Sequence, residues 1–184
     1  MKRKRKPKTE QILMVMRILA WVAFIGFMIQ AGAVLISFGV SCVNPEGAKN
    51  LYKGLNLYNL RQYNFTYYVC RVSFIVVLLL MKSYVCFLVI KTLSKITLAD
   101  PFKMEVAQTL EKISYVLFGA WIVGVLSSAY SSWLLKITGE FFGSGELFGS
   151  GSTEEFLFMA GLVFIISQIF KRGVEIQSEN ELTV

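Results

Sequence analysis

Histidine is absent from the 184 residues of this chain, and cysteine and proline occur only three times each. The absence of histidine removes the commonest protein ligand of zinc and the commonest general base. Cys42, Cys70 and Cys86 form no CxxC or CxxxC pair, so the sequence indicates neither a zinc knuckle nor a dithiol redox motif. We therefore expect no enzymatic activity, no cofactor, and no catalytic, cofactor-binding or metal-ligating residue.

Charged residues are scarce over long stretches of the chain, and residues 72–93 show this most clearly. They read VSFIVVLLLMKSYVCFLVIKTL, with Lys82 deep inside the stretch and Lys91 near its end. About 20 apolar residues cross a ~30 Å hydrocarbon layer, and a soluble core helix would carry a polar stripe that this stretch lacks. The pattern predicts a membrane-spanning helix.

The composition of the whole chain agrees with this prediction. Hydrophobic residues make up 55% of the chain and the mean hydropathy is +0.57, values typical of a membrane protein. We predict an all-α fold, an integral membrane four-helix bundle that forms a single domain over residues 1–184. Its spans are predicted at about 18–40, 72–93, 113–135 and 153–171, with a basic N-terminal tail over 1–17 and an acidic C-terminal helix over 172–184.

The basic tail accounts for most of the net charge of +7, because six of the first eight residues are lysine or arginine. Such a tail beside a span sets membrane topology or contacts anionic lipid. No nucleic-acid recognition fold accompanies it, so direct nucleic-acid binding is not expected. A cleaved signal peptide is the alternative for this region, since Ala31-Gly32-Ala33 fits a cleavage site, but the apolar run continues beyond a typical signal core.

Lysine and arginine are distributed unequally between the two sides of the predicted bundle. The N-terminal tail, the 91–112 connector and the C-terminal segment carry 13 of them, whereas the two opposite loops carry five, including Arg71. Because these residues favour the cytoplasmic side of a membrane, both termini are predicted to be cytoplasmic.

The first outer loop is predicted over residues 41–71 and carries two local signals. Asn64-Phe65-Thr66 matches an N-glycosylation acceptor. Cys42 and Cys70 bracket the loop, where they form either a structural disulfide or two free thiols.

Two further signals predict helix starts. Asp100-Pro101 combines a capping side chain with a proline suited to the first turn of the third helix. Ser152-x-x-Glu155 is a capping box that predicts the start of the fourth helix.

Lys82 is the one ionisable residue predicted deep inside a span, where a lysine costs about 2.5–3.5 kcal/mol on insertion. One hypothesis is that Lys82 faces the bundle interior and bonds to Gln30, Ser127 and Ser128, forming a buried polar site. The other is that its long stem carries the ammonium group to an interface.

Small residues recur four apart in the third span, a spacing that lets two helices approach closely in lipid. They are Ala120, Gly124 and Ser128, with Ser127 and Ser131 beside them. We expect a packing face here.

The closing run 169–184, IFKRGVEIQSENELTV, resembles the C-terminal signature of a bacterial membrane family, the domain-of-unknown-function family 2975. Asp100-Pro101-Phe102, followed by Val106 and Leu110, is similar to the connector before the third span of that family. The basic start and the outer-loop turn Asn44-Pro45-Glu46-Gly47 are weaker matches to other parts of the family. The resemblance implies a four-span protein of the bacterial cytoplasmic membrane, often encoded beside a small helix-turn-helix regulator of the Cro/CI type. It brings no catalytic residues.

Three functions remain open from the sequence. The leading hypothesis is a non-enzymatic regulatory or interaction partner of such a cytosolic regulator, acting from the lipid bilayer through the C-terminal tail. The alternative is a small permease or export factor that uses a buried polar site around Lys82. An enzyme of thiol exchange is disfavoured because the closely spaced cysteine pair is missing.

Overall fold

The computed structural model describes residues 8–48, 57–96, 103–139 and 153–181, and these residues form six helices and no strand. The helices are α1 (Lys8–Val43), α2 (Pro45–Ala48), α3 (Leu57–Tyr63), α4 (Phe65–Lys95), α5 (Met104–Thr138) and α6 (Thr153–Glu181). The predicted helix starts at Asp100-Pro101 and Ser152 lie outside the described residues. Within them, α5 begins at Met104.

Four of these helices, α1, α4, α5 and α6, are long and apolar enough to cross a membrane. Their outer surfaces are apolar. On α1, for example, the side chains of Val22, Ile29 and Ile36 are 64%, 65% and 67% exposed. A water-soluble protein does not leave such large contiguous apolar surfaces uncovered. The predicted fold class, an all-α membrane helical bundle, is confirmed.

Alternating steps of three and four residues define the packing seam of α5. Its most buried positions follow this alternation over Ile113, Leu117, Ala120, Gly124, Ser127, Ser131 and Leu134. Such a spacing keeps one face toward the neighbouring helices along the whole length of a slightly supercoiled bundle. The predicted packing face is present and includes Ser127 and Ser131, which are buried. Ser128 does not belong to it, because this residue lies off the seam and is exposed.

The long helices pack as neighbours in the order α1, α4, α5, α6. Helix α1 runs antiparallel to α4, with Phe38 stacked on Tyr68 at one end and Phe24 against Phe87 toward the other. Helix α5 runs antiparallel to α6, since Leu117 and Ala160 share one hydrophobic cluster and Glu111 pairs with Lys171. The bundle therefore has one end that gathers the start of α1, the end of α4, the start of α5 and the end of α6.

The predicted outer loop is wrong in one respect, because helix α4 begins at Phe65 rather than near residue 72. Asn64 caps this helix: its side-chain oxygen accepts hydrogen bonds from the backbone N–H groups of Thr66 (2.8 Å) and Tyr67 (3.4 Å). The triplet that resembled a glycosylation acceptor is thus a helix N-cap in the structure. As a result, Cys70 and Arg71 lie inside the helix and not in a loop.

Candidate functional site

Helix α4 carries two cationic side chains within the bundle, Arg71 and Lys82. They are eleven residues apart, which is about three turns or roughly 16 Å along the helix, so both project from nearly the same side. The seam of α4 runs through Tyr68, Val72, Ile75 and Leu79, and the next three-residue step reaches Lys82. Both cations therefore lie on or beside the face that α4 presents to its neighbours.

Arg71 is the more deeply buried of the two, with 3% of its surface exposed. Its Nη1 donates a hydrogen bond of 2.7 Å to the hydroxyl of Ser127 on α5. The hydroxyl of Ser131 in turn donates to the backbone carbonyl of Ser127, at 2.9 Å. Since both hydroxyls lie on the seam of α5, the guanidinium ties α4 to α5 through a buried polar contact.

An aromatic cluster lies beside this contact, where the start of α4 packs against the end of α5. The ring of Trp133 lies 5.2 Å from Tyr67 and 5.7 Å from Tyr130, and the Tyr130 hydroxyl donates to the Tyr67 carbonyl at 3.3 Å. Tryptophan and tyrosine rings favour the membrane–water interface. This cluster lies at the end of the bundle opposite the one that gathers the two chain ends.

Lys82 is half-buried and occupies a different kind of environment. Its Nζ lies 5.9 Å from the ring centroid of Phe27 on α1 and 5.4 Å from that of Phe156 on α6. Aromatic faces attract a cation within about 6 Å. Lys82 therefore holds its ammonium group between two rings supplied by helices that are not neighbours of each other in the bundle.

A cavity of about 240 Å³ adjoins the Lys82 side chain. All four long helices contribute to its wall, chiefly through Phe27, Lys82, Cys86, Leu117, Ala120 and Phe156. Glu155, the residue before Phe156, lies close enough to interact electrostatically with the ammonium group. The hypothesis that Lys82 faces the interior agrees with the structure in that its side chain lines this partly open cavity between the helices.

The predicted partners of Lys82 are wrong in part. Ser127 accepts a hydrogen bond from Arg71, and the next residue, Ser128, is exposed on the surface of α5. Gln30 is half-buried one turn along α1 from Phe27, which leaves it near the same region. The sequence pattern identified Lys82 but missed Arg71, because the predicted span began one residue after it.

Polar side chains join the helices at the end of the bundle that gathers the two chain ends, which we call the polar end (residues 91–95, 104–112 and 171–181). Arg17 donates to the carbonyl of Leu93 at 3.1 Å, and Lys95 forms an ion pair with Glu105. Lys171 on α6 forms an ion pair of 2.8 Å with Glu111 on α5. These contacts join α1 to the last turns of α4, and they join α4 and α6 to the first turns of α5.

Two carboxyl groups of the polar end, those of Glu105 and Glu111, have a lowered pKa. The hydrogen bond from Lys171 holds the pKa of Glu111 below its usual value, with Gln168 and Tyr115 adding to the effect. The hydrogen bond from Lys95 lowers the pKa of Glu105 in the same way. Both effects arise because a carboxylate is favoured by donors and positive charges next to it.

The two cysteines that bracketed the predicted loop, Cys42 and Cys70, are both exposed free thiols. Of the two alternatives left open by the sequence, the structure has the free thiols. Among the described residues, no three histidine, cysteine or carboxylate side chains come together where they could hold a metal ion.

Four membrane-length helices with cationic groups enclosed between them define this chain as a multi-span helical membrane protein. The chain belongs to the family described as protein of unknown function (DUF2975), whose model matches residues 55–184. The resemblance seen in the closing run is thereby confirmed, while the basic start and the turn at residues 44–47 precede the matched range. No curated protein and no solved structure matches the chain.

Proposed function

We propose that this protein is a non-enzymatic regulatory protein of the bacterial cytoplasmic membrane that binds a small cytosolic helix-turn-helix regulator. The polar end of the bundle is the proposed docking surface, and both chain ends face the cytosol. The distribution of lysine and arginine supports this orientation. Because Arg71 lies inside the bundle, only four of the five basic residues first assigned to the opposite side remain there.

The observation that carries the proposal is the ordered extension of α5 and α6 at the polar end. Val106 and Ala107, in the first turn of α5, are completely buried. Helix α6 continues for ten residues beyond Lys171, whose ion pair with Glu111 holds it against α5. A helix pair fixed in this way presents a pre-organised surface, which lowers the entropic cost of binding a partner.

The charge of the part of α6 that follows Arg172 suits a DNA-binding partner, whereas the polar end as a whole carries five basic and five acidic residues. Glu175 in this part of α6 forms an ion pair of 2.9 Å with Arg172. After Arg172 the chain contains three glutamates, Glu175, Glu179 and Glu181, and no basic residue. Glu175 and Glu179 are exposed, as is the apolar side chain of Ile176 between them. DNA-binding proteins carry a basic surface, so an acidic helix can compete with phosphates for it and withdraw the regulator from its operator.

Binding between the full chain in lipid nanodiscs and a purified small helix-turn-helix regulator of the Cro/CI type tests this proposal. We expect saturable binding that weakens with salt, is displaced by operator DNA, and falls by about tenfold in the double variant Glu175→Lys, Glu179→Lys. The matched control is Glu154→Lys, which reverses an exposed charge at the other end of the same helix. Binding that tolerates the double variant, or no binding, contradicts the proposal.

The cavity beside Lys82 favours a second candidate function, a small permease or export factor. All four long helices line this cavity, and Lys82 supplies the one positive charge among its described lining residues. In this case solute flux into liposomes should be lost in Lys82→Met and retained in Lys91→Met, since Lys91 is exposed on the same helix. Equal flux in both variants contradicts this function.

A further inference from the structure

The cavity beside Lys82 combines three features that a ligand can use. Its wall is apolar and aromatic, its volume is about 240 Å³, and Lys82 lines it with its ammonium group 5.4 Å from the ring of Phe156, another lining residue. Known pockets for drug-sized ligands measure about 300–1,000 Å³ and pair apolar walls with a few polar groups that orient the ligand. This cavity has the same character at a smaller size.

We propose that the cavity binds a small organic monoanion with one carboxylate and a short apolar body, such as a medium-chain fatty acid. The carboxylate lies at the Lys82 ammonium group, and the apolar body lies among Phe27, Leu117 and Phe156. This site is independent of the docking surface at the polar end, and it requires no transport of the ligand across the membrane.

The chemistry of the wall selects this ligand class. Among the described lining residues Lys82 is the one cation, which matches a single negative charge. A phosphate dianion is usually held by several donors, such as arginine forks or backbone N–H groups at a helix start. The remaining lining side chains bind methylene or aromatic groups. A neutral ligand would leave the charge of Lys82 without a role in binding.

Glu155 acts as the internal competitor for the ligand. It interacts electrostatically with Lys82 from the first turn of α6 and is itself exposed. A ligand carboxylate at Lys82 comes near this like charge and is repelled by it. Neutralising Glu155 should therefore tighten ligand binding, whereas removing the charge of Lys82 should weaken it.

Calorimetric titration of the full chain in nanodiscs tests the proposal, with empty nanodiscs subtracted to remove partitioning into lipid. The probes are a series of straight-chain carboxylates from hexanoate to palmitate, together with octanol as the neutral counterpart of octanoate. Partitioning into lipid strengthens with every methylene. Binding in a cavity of limited volume instead strengthens by about fourfold per methylene only until the cavity is full.

The expected results distinguish the contribution of the ligand's charge from the limit that the cavity volume sets on its chain length. Octanoate binds saturably, octanol binds at least about tenfold more weakly, and affinity falls again at palmitate. Lys82→Met weakens octanoate binding by about tenfold to a hundredfold, as for loss of a hydrogen bond to a charged group. Lys91→Met leaves binding unchanged, and Glu155→Gln strengthens it by about two- to fivefold.

Three results overturn the proposal: octanoate and octanol binding equally, no saturable binding above empty nanodiscs, and affinity that rises through palmitate without a maximum. Leu117→Phe provides a second structural test, because the larger ring fills part of the cavity. We expect it to shift the maximum to a shorter acid. An unchanged maximum in a folded Leu117→Phe protein contradicts binding in this cavity.

Discussion

Arg71 and Lys82 lie on the same helix and on nearly the same side of it, yet their surroundings in the bundle differ. Arg71 is buried and donates to a hydroxyl of the neighbouring helix, so its charge is part of the packing between α4 and α5. Lys82 is half-buried between two aromatic rings and adjoins a cavity. The protein supplies groups around both charges, and in the second region a cavity also lies beside the charged side chain.

This difference separates a structural cation from a candidate ligand-binding cation. Burying a charge in a membrane protein is costly unless polar groups or a functional need offset the cost. For Arg71, the hydrogen bond to Ser127 supplies a compensating polar group. For Lys82, the cavity beside the side chain has room for a ligand, which would be the functional need. Substitution of Arg71 should therefore affect the stability of the fold more than ligand binding, and substitution of Lys82 should affect ligand binding more than stability.

Arg71→Ala should give the largest loss of stability. It removes a long buried side chain, leaves a cavity between α4 and α5, and takes away the donor to Ser127. We expect the free energy of unfolding to fall by about 2–5 kcal/mol. Unfolding in detergent by titration with sodium dodecyl sulfate measures it, with the exposed Lys91→Ala as control. A change below about 0.5 kcal/mol would show that Arg71 does not join the helices.

Ser127→Ala tests the other side of the same contact and should have a smaller effect. The buried guanidinium loses an acceptor, which costs about 1.5–3 kcal/mol for a hydrogen bond to a charged group. Ser128→Ala is the matched control, because the neighbouring serine is exposed and its loss should cost almost nothing. If the two substitutions lower stability equally in the same titration, the hydrogen bond between Arg71 and Ser127 is contradicted.

The polar end should make a smaller, pH-dependent contribution. The folded-state pKa of Glu111 is lowered, so its pairing with Lys171 stabilises the protein fully above the unfolded pKa of about 4.3. This stabilisation is lost as the pH falls through that value toward the folded pKa. Thermal unfolding between pH 3 and 7 should show a difference between wild type and Lys171→Met that disappears at the acid end. A difference independent of pH contradicts this account.

Lys82→Met should change stability least, in contrast to its effect on ligand binding. Methionine has a similar length, fills the same space beside Phe27 and Phe156, and makes favourable contacts with aromatic rings. We expect a change of less than about 1 kcal/mol in either direction. The same detergent titration measures it, and a loss as large as that of Arg71→Ala would assign Lys82 to packing.

The four spans could be predicted from the sequence because their apolar runs are long and contain few charges. The start of α4 could not be placed by the same signal, since residues 65–71, FTYYVCR, mix aromatic and polar side chains. Asn64 was an available signal, because asparagine is a favoured N-cap as well as a glycosylation acceptor. Reading it as a cap would have placed Arg71 inside the helix.

The partners of the two cations lay beyond what the sequence could show. Choosing between Ser127 and Ser128 requires the rotation of α5, which depends on how its whole seam packs against α4 and α6. The spacing of small residues predicted that α5 packs closely, but spacing alone does not fix which side chain meets which neighbour. The cavity beside Lys82 depends on all four long helices, so no single segment of the sequence could predict it.

The orientation of the bundle is the claim on which the docking proposal depends, and cysteine labelling tests it most directly. In a variant without Cys42, Cys70 and Cys86, single cysteines are introduced by Ser144→Cys or Ser178→Cys and exposed to a membrane-impermeant maleimide. We expect Ser144→Cys to react in intact spheroplasts and Ser178→Cys to react only after lysis. Labelling of Ser178→Cys before lysis would contradict a cytosolic polar end.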